Sequence, residues 1–561
     1  MLEIDIEREK EKRKRRIASI LSAFIPGSGQ FVRKRIVAGL FFFSIFFLMI
    51  WFLTDIWQLN YGIIGVFTGL FIFYCINIID AYKGPAKSSA PCENRCPTGI
   101  NIRLYIALII EGRFDDALKI IRDRMPFPSV CGRICYHPCE TVCSLRRKGG
   151  SIAIEFLKRS ASDYGKAEPA KIRKTNSIEK SIGIIGAGPA GLSAAYFLAR
   201  KAYPVTLYER EMEPGGLLIY GIPEFRLPKD VVQREIDFIR EMGVTIKTAQ
   251  TIGKDISFST LQEKHSALII SAGCSKSRGI NIPGKELKGI YKAIDILNEA
   301  NKGNPRMLSG RVAVIGGGNS AFDAARCAIR CGVNEVTVYY RRNQKEMPGN
   351  IEEMEMASRE GVRIEYLVIP LKFTGKDKVE AIDFVKTELI KQDKKNRSRI
   401  RLIEGTNFSV PVDTVIVATG QVPDFSYLSP NIKQKIVTHN TIIVNNLTME
   451  TPIAGIFAVG DITGGKKTVV DAIEMGRKAA QGVDCYIRKV GKFRRIFERL
   501  SEFDYQPPYK IIRKRSLKGN RVEQNLLDKE NAVTSFFEAE LGFTEEEAKK
   551  ESSRCLQCGK R

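Results

Sequence analysis

Read as a pattern of apolar and polar positions, the chain opens with two runs that carry no charge, Ile36 to Leu53 over 18 residues and Tyr61 to Ile79 over 19. Each just reaches the length that lets a helix cross the hydrocarbon core of a bilayer. The connector Thr54–Asn60 has room only for a tight turn, so the pair predicts a transmembrane helical hairpin. Lysine and arginine crowd the flank before the first run, Lys83 and Lys87 follow the second, and the connector carries only Asp55. The positive-inside rule then puts both termini and everything beyond the hairpin on the cytoplasmic side of a cell membrane. Trp51, Trp57, Tyr61 and Tyr82 fall near the expected interfaces.

Farther along, the pattern changes to a helical stretch, Ile102–Arg124, and then to short apolar runs alternating with helical ones. Residues 181–186 read as a short buried strand, Leu192–Lys201 as a helix, and Val205–Tyr208 as a second strand; a similar sequence recurs from Val312 to Tyr340. Alternating strand and helix argues for an α/β fold with parallel sheets. At 561 residues the chain is too long for one core, so at least three modules are expected. A hydrophobic share of 44% with 27% charged residues excludes extended disorder.

Net charge is +25, concentrated in Lys10–Arg16 with Arg33-Lys34-Arg35 and again between Arg488 and Arg521. Basic patches suit nucleic acid or anionic lipid. The first patch abuts an apolar run and no nucleic-acid motif follows it, which favours the lipid surface. The second is equally readable as a solvated basic face. Of thirteen cysteines, eight fall in tight clusters, and no signal peptide with a cleavage site is visible. That combination suits metal ligation in a reducing cytoplasm better than a secreted disulfide scaffold.

The first strand runs into Gly186-x-Gly188-x-x-Gly191, a helix follows, and the second strand ends in Glu209, 18 residues past the last glycine. In that context the glycines are a dinucleotide fingerprint: they permit a tight turn, close approach of backbone to pyrophosphate, and close helix–strand packing. The phosphates meet the positive end of a helix, and the acid binds a ribose hydroxyl. The second copy reads Gly316-x-Gly318-x-x-Ala321, and its second strand ends in Arg341-Arg342. Arginine there accommodates the 2′-phosphate of NADP, whereas NAD usually meets a carboxylate. One fold is therefore expected to hold FAD and the other NADPH, and two surface arginines beside an NAD site remain the alternative. Hydride transfer between stacked rings needs no protein acid or base, and no catalytic residue is assigned.

The cysteine clusters are Cys92-x-x-x-Cys96-Pro97, then Cys131, Cys135, Cys139 and Cys143 at intervals of four, then Cys555-Leu-Gln-Cys558 near the C-terminus. Pro138 excludes a plain helix through the middle group. Eight cysteines make two sets of four, as iron–sulfur clusters use. Zinc takes similar ligands but offers no redox chemistry beside a flavin. Cys327, Cys331 and Cys274 read as small core residues.

These motifs, with Pro126-Phe-Pro-x-x-Cys131-Gly-Arg-x-Cys135-x-x-Pro-Cys139-Glu, Gly215-Gly-Leu-Leu-x-Tyr-Gly-Ile-Pro-x-Phe-Arg-Leu-Pro228, Gly316-Gly-Gly-Asn-Ser-Ala-x-Asp323, Tyr340-Arg-Arg-x-x-x-Glu-Met-Pro348 and the segment ending Gly460-Asp461, resemble the small subunit of bacterial glutamate synthase. They are also similar to the N-terminal half of dihydropyrimidine dehydrogenase. The resemblance implies a two-dinucleotide flavoprotein with its NADP domain inserted in the FAD domain, a helical iron–sulfur domain, and two 4Fe-4S clusters passing single electrons to another domain or subunit. It implies FAD contacts at Gly186, Gly188, Pro189, Ala190, Gly191, Glu209, Arg210, Gly216, Leu217, Arg226, Ala272, Gly273, Gly460, Asp461, Val469 and Val470. For NADPH it implies Gly316, Gly318, Asn319, Ser320, Ala321, Arg341, Arg342, Ala418 and Gly420. The eight clustered cysteines would be the ligands. Two departures from the family stand out. The Cys555/Cys558 element lies at the C-terminus rather than before Cys92, and Lys158 occupies a position where some relatives place a ligating glutamine or glutamate.

The expected organisation is a basic segment 1–35, the hairpin 36–80, a helical iron–sulfur domain 84–175, FAD-binding segments 178–300 and 419–490 around an NADPH domain 301–418, and a tail 491–561 that completes the iron–sulfur domain. The expected activity is membrane-anchored NADPH oxidation with an electron-accepting protein partner. Alternatives are a glutamate synthase small subunit in the strict sense, or an assembly or sensor protein with a structural flavin.

Overall fold

The computed structural model describes residues 90–168, 180–390, 398–465, 468–489 and 519–558, together with Ser44, Phe73 and Ile76. The expected spans 36–53 and 61–79 lie outside the described residues apart from those three, which are helical. Among the described residues no helix is long and apolar enough to cross a membrane. The chain forms two compact units. The described part of the smaller includes the Pro91–Arg95 helix and residues 556–558; the larger is Cys96–Arg488 with Ser516–Cys555.

In the larger unit, Ile182–Ile185 is buried on both faces, as its unbroken apolar run requires. It pairs in parallel with Val205–Tyr208 on one side and Ala267–Ile270 on the other. Thr245–Lys247 and Ile456–Ala458 complete a five-stranded parallel sheet. A second parallel sheet has the order Ile290–Lys292, Thr414–Val417, Arg311–Ile315, Glu335–Tyr340, Arg363–Tyr366. Because Ile456–Ala458 returns to the first sheet after the second is complete, one nucleotide fold sits inside the other. Ile290–Lys292 already belongs to the inner sheet, so this fold starts before residue 301. Its Ile-Tyr-Lys edge is too short to show a pattern. A four-stranded antiparallel sheet built around Ala381–Ile390 stacks on the inner fold through Tyr339, Phe384 and Phe408.

The helical domain contains Ile102–Ile110, Phe114–Arg122, Pro128–Ile134 and Ile154–Tyr164. The stretch expected to be one helix from Ile102 to Arg124 breaks at Gly112, whose φ of +73° is the left-handed conformation that ends helices. The tail adds the Glu545–Ser553 helix, started by a capping box between Thr544 and Glu547. Glu551, fully buried, fastens this helix: its carboxylate accepts from Ala153 N at 2.9 Å and Val522 N at 3.0 Å. Arg159 holds the strand before it by donating to the Glu540 and Leu541 carbonyls. The helical domain is in turn seated on the first nucleotide fold. Tyr196 Oη donates to Arg122 O at 2.7 Å, and Glu235 accepts from Ser129 N and Val130 N at the start of the Pro128–Ile134 helix.

Candidate functional site

Three segments converge on the first glycine loop. Gly186 has φ +97°, and a Cβ there would lie 2.6 Å from Ser271 O and 3.0 Å from Ala272 Cα. At Gly191 a Cβ would lie 2.2 Å from Gly186 O, so only glycine lets the Pro189–Ala199 helix start so close to the strand. Gly188, by contrast, faces open space, with no atom within 4 Å of where its Cβ would be. That is the room a pyrophosphate needs at a helix N-terminus. Gly216, φ +57°, closes over it with its Cβ position 3.1 Å from Gly188 Cα, and Leu217 follows, exposed. Gly460 approaches Ala190, and Asp461 and the start of the Val469–Ile487 helix come with it. Gly476 on that helix lies against Ala190 O, which sets the crossing. Gly273, φ +64°, also borders open space.

Glu209 ends the second strand, buried, accepting from Ala187 N at 2.7 Å and Glu211 N at 3.1 Å. Burial pushes its carboxyl up, and those two N–H groups pull it back. Arg210 beside it is exposed and pairs with Glu211. The candidate FAD residues are thus gathered around one loop, with one exception. Arg226 is enclosed: its guanidinium binds Asp323 at 2.7 Å and Glu353 at 2.5 Å, both carboxylates of the inner fold. Its charge is engaged by carboxylates of the inner fold, and this geometry adds no support to the expected FAD contact at Arg226. Arg326, Arg330 and Glu360 extend this buried network.

The second loop repeats the geometry. Gly316, φ +153°, would place a Cβ 2.4 Å from Ala418 O, bringing Ala418 alongside, while Gly318 and Gly420 face open space. Gly318 caps the Asn319–Arg330 helix, which carries the exposed Ser320 and the fully buried Ala321. Asn319 Oδ1 accepts from Asn350 N at 2.7 Å and so ties the loop to the segment after the arginines. The two arginines differ. Arg341 is exposed and has no ion pair among the described residues, whereas Arg342 is half-buried and paired with Glu346 at 3.2 Å. Arg341 is therefore the one available to a 2′-phosphate. The middle glycine was not singled out from the sequence, yet a Cβ on Gly317 would lie 2.4 Å from the Tyr340 ring. Only the unusual run of three glycines signalled it.

Cys131, Cys135 and Cys139 are buried, Cys96 and Cys143 half-buried, and all are free thiols. Gly132 lets the helix bearing Cys131 lie directly on the Ile154–Tyr164 helix, since its Cβ would sit 2.6 Å from Arg159 Cα. Burial pushes the Cys131 and Cys139 thiols well up, the nearby Lys158 ammonium opposes this, and neighbouring thiols, Cys135 for both and Cys96 for Cys139, add to it. These cysteines therefore face one another. At the tail, Arg554 donates to Gly149 O at 2.6 Å and Gly150 O at 2.9 Å, holding the residue before Cys555 against the loop that follows Cys143. Ser552 Oγ is buried with no hydrogen-bond partner, and so are both amide atoms of Gln557, which lies between Cys555 and Cys558. Unpaired polar atoms beside thiols suit a group whose sulfurs accept hydrogen bonds. In the smaller unit Cys92 is buried on its short helix and Cys558 half-buried.

His137, between Cys135 and Cys139, bonds Glu155 at 2.6 Å and Glu352 at 3.2 Å through its two ring nitrogens. Burial works against its charge, but those two hydrogen bonds carry it up to about 12, so it bridges the carboxylates as imidazolium. Cys327 is fully buried in the apolar core of the inner fold and Cys274 is buried near Asp461 O, as small packing residues. Glu235 was not foreseen. Burial pushes it up to about 7, against Arg122 and the two N–H groups it receives.

Two nested nucleotide folds joined to a cysteine-lined helical domain define a flavoprotein that takes electrons from a nicotinamide nucleotide and carries iron–sulfur centres. Comparison with known proteins agrees. Residues 180–476 match the family described as pyridine nucleotide-disulphide oxidoreductase, and residues 85–170 match dihydropyrimidine dehydrogenase domain II, 4Fe-4S cluster. The chain is 37% identical over 512 residues to the NADPH-Fe(3+) oxidoreductase subunit beta of Geobacter sulfurreducens, covering 84% of this chain and 75% of that one. It is 35% identical to the NADP(+)-dependent formate dehydrogenase subunit beta of Moorella thermoacetica, covering 84% and 70%. It is 36% identical to the glutamate synthase [NADPH] small chain of Azospirillum brasilense, covering 71% and 86%. The chain belongs to the pyridine nucleotide-disulphide oxidoreductases, in the group that includes the glutamate synthase small chains, and is an NADPH-dependent flavin and iron–sulfur oxidoreductase.

Proposed function

We propose that this chain is the electron-input subunit of a membrane-associated redox complex. Gly316, Gly318 and Arg341 would hold NADPH, and the cradle around Gly188 and Glu209 would hold FAD, which when bound would accept the hydride and leave NADP⁺. The clustered cysteines would hold two 4Fe-4S clusters, which would pass the two electrons singly to an electron-accepting protein partner. The observation that carries this reading is the docking of the tail. Glu551 and Arg554 bring Cys555 to the domain that already holds Cys96, Cys131, Cys135, Cys139 and Cys143. The sequence holds eight clustered cysteines in all, Cys92 and Cys558 included, the number that two 4Fe-4S clusters would use.

The names of the relatives support a separate acceptor. Two are called beta subunits, and the three names refer to different reactions, with ferric iron, formate and glutamate, so the shared module does not fix the reaction it serves. The uncharged runs 36–53 and 61–79, flanked by basic residues, favour anchoring by a helical hairpin with the redox domains on the cytoplasmic side. A strict glutamate synthase small subunit gains nothing from such a hairpin.

Purified protein should contain flavin and oxidise NADPH steadily with an artificial one-electron dye. Absence of turnover would favour a structural flavin in an assembly or sensor protein. Removing residues 1–82 should move the protein to the soluble fraction with dye activity intact. If the truncated protein stays with membranes, the hairpin is not the sole anchor.

A further inference from the structure

Lys158 is a buried lysine without a partner. It is 3% exposed on the Ile154–Tyr164 helix and makes no hydrogen bond or ion pair among the described residues. Its position is fixed by the close crossing at Gly132, where the helix bearing Cys131 meets the backbone of Arg159. The groups facing it are the Cys131 and Cys135 thiols from the Pro128–Ile134 segment, Cys139 from the loop after it, and Glu155 from its own helix. Glu155 is already engaged by His137 at 2.6 Å. A buried ammonium left unpaired is strongly unfavourable, so the cage must supply negative charge. Neutral thiols do not supply it; an anionic iron–sulfur centre on thiolates does.

We propose that Lys158 is a fixed counter-charge for the iron–sulfur centre that Cys131, Cys135 and Cys139 face, favouring its one-electron-reduced state over its oxidised state. The inference rests on the reading of these cysteines as facing a cluster. Reduction adds one electron, originating from NADPH, and makes the centre one unit more negative with no proton taken up. A positive charge held beside the centre in a buried site stabilises that state more than the oxidised one. Lys158 ligates nothing.

The test uses the full-length protein and the variants Lys158→Met and Lys158→Arg, with iron content measured first and midpoint potentials by electron paramagnetic resonance titration. Lys158→Met should keep its iron and show one centre with a reduced-to-oxidised ratio roughly tenfold lower at the same ambient potential, about 59 mV for one electron. Lys158→Arg should stay close to the parent. A Met variant with full iron and unchanged potentials would overturn the proposal. Should the Met variant lose iron, retention by the Arg variant would still show that the site demands charge, whereas equal loss in both would assign the position to packing and overturn it. A parent protein without iron would instead refute the cluster reading itself.

Discussion

The two glycine loops share one backbone plan and use it differently. In the outer fold the third position is Gly191, where a Cβ would lie 2.2 Å from Gly186 O; the inner fold has Ala321 there and buries its methyl without exposure. The outer strand ends in Glu209, buried and fastened to two backbone N–H groups; the inner one ends in Arg341, exposed and unpaired among the described residues. A tight crossing with a desolvated carboxylate suits a cofactor that stays. An alanine at the crossing with an exposed guanidinium suits one that arrives and departs with each turnover. On the proposed assignment of FAD to the outer loop and NADPH to the inner one, the third small residue and the side chain that closes the second strand are where the same supersecondary unit would be tuned for residence or exchange.

That contrast is broken most severely at Gly191. Gly191→Val must displace either the Gly186 carbonyl or the helix start, and purified protein should lose most of its flavin absorbance; a variant that retains full flavin would show that the crossing is not decisive. Arg341→Glu comes next. Loss of a charged contact to the 2′-phosphate is expected to raise KM for NADPH roughly tenfold to a hundredfold while leaving NADH nearly unchanged. Equal effects on both nucleotides would remove the NADP assignment. The smallest effect should come from Ala321→Gly, with flavin content and nucleotide preference retained and stability lowered by about 1 kcal/mol in thermal or urea unfolding.

Both loops were legible because each is a contiguous strand–glycine–helix signature, and the nesting was expected from the family resemblance that the segment ending Gly460-Asp461 helps to carry. What stayed hidden depends on distant partners. Arg226 sits in a motif read for flavin contact, and its ion-pair partner Asp323, 97 residues away, has no local signal in the sequence. Gly317 matters because of the ring of Tyr340, and Lys158 because Gly132 brings two helices together; neither relation has a local pattern. The edge strand Ile290–Lys292 has three residues, below the length at which alternation or burial can be read. The helix break at Gly112 shows the converse error, an apolar pattern that continues across a residue whose φ of +73° ends the helix.

The cysteine domain differs from both loops in being assembled from the two ends of the chain, and this is the claim on which the account turns. Deleting residues 553–561 removes Cys555 and Cys558 while leaving both nucleotide folds complete. Iron per chain should fall by half, from about eight to about four, because a four-cysteine cluster that loses two thiolates has no replacement ligands. FAD content and NADPH-to-dye transfer taken directly from flavin should persist. Unchanged iron in the shortened protein would contradict the account, leaving six cysteines to serve two clusters and the tail with no part in either.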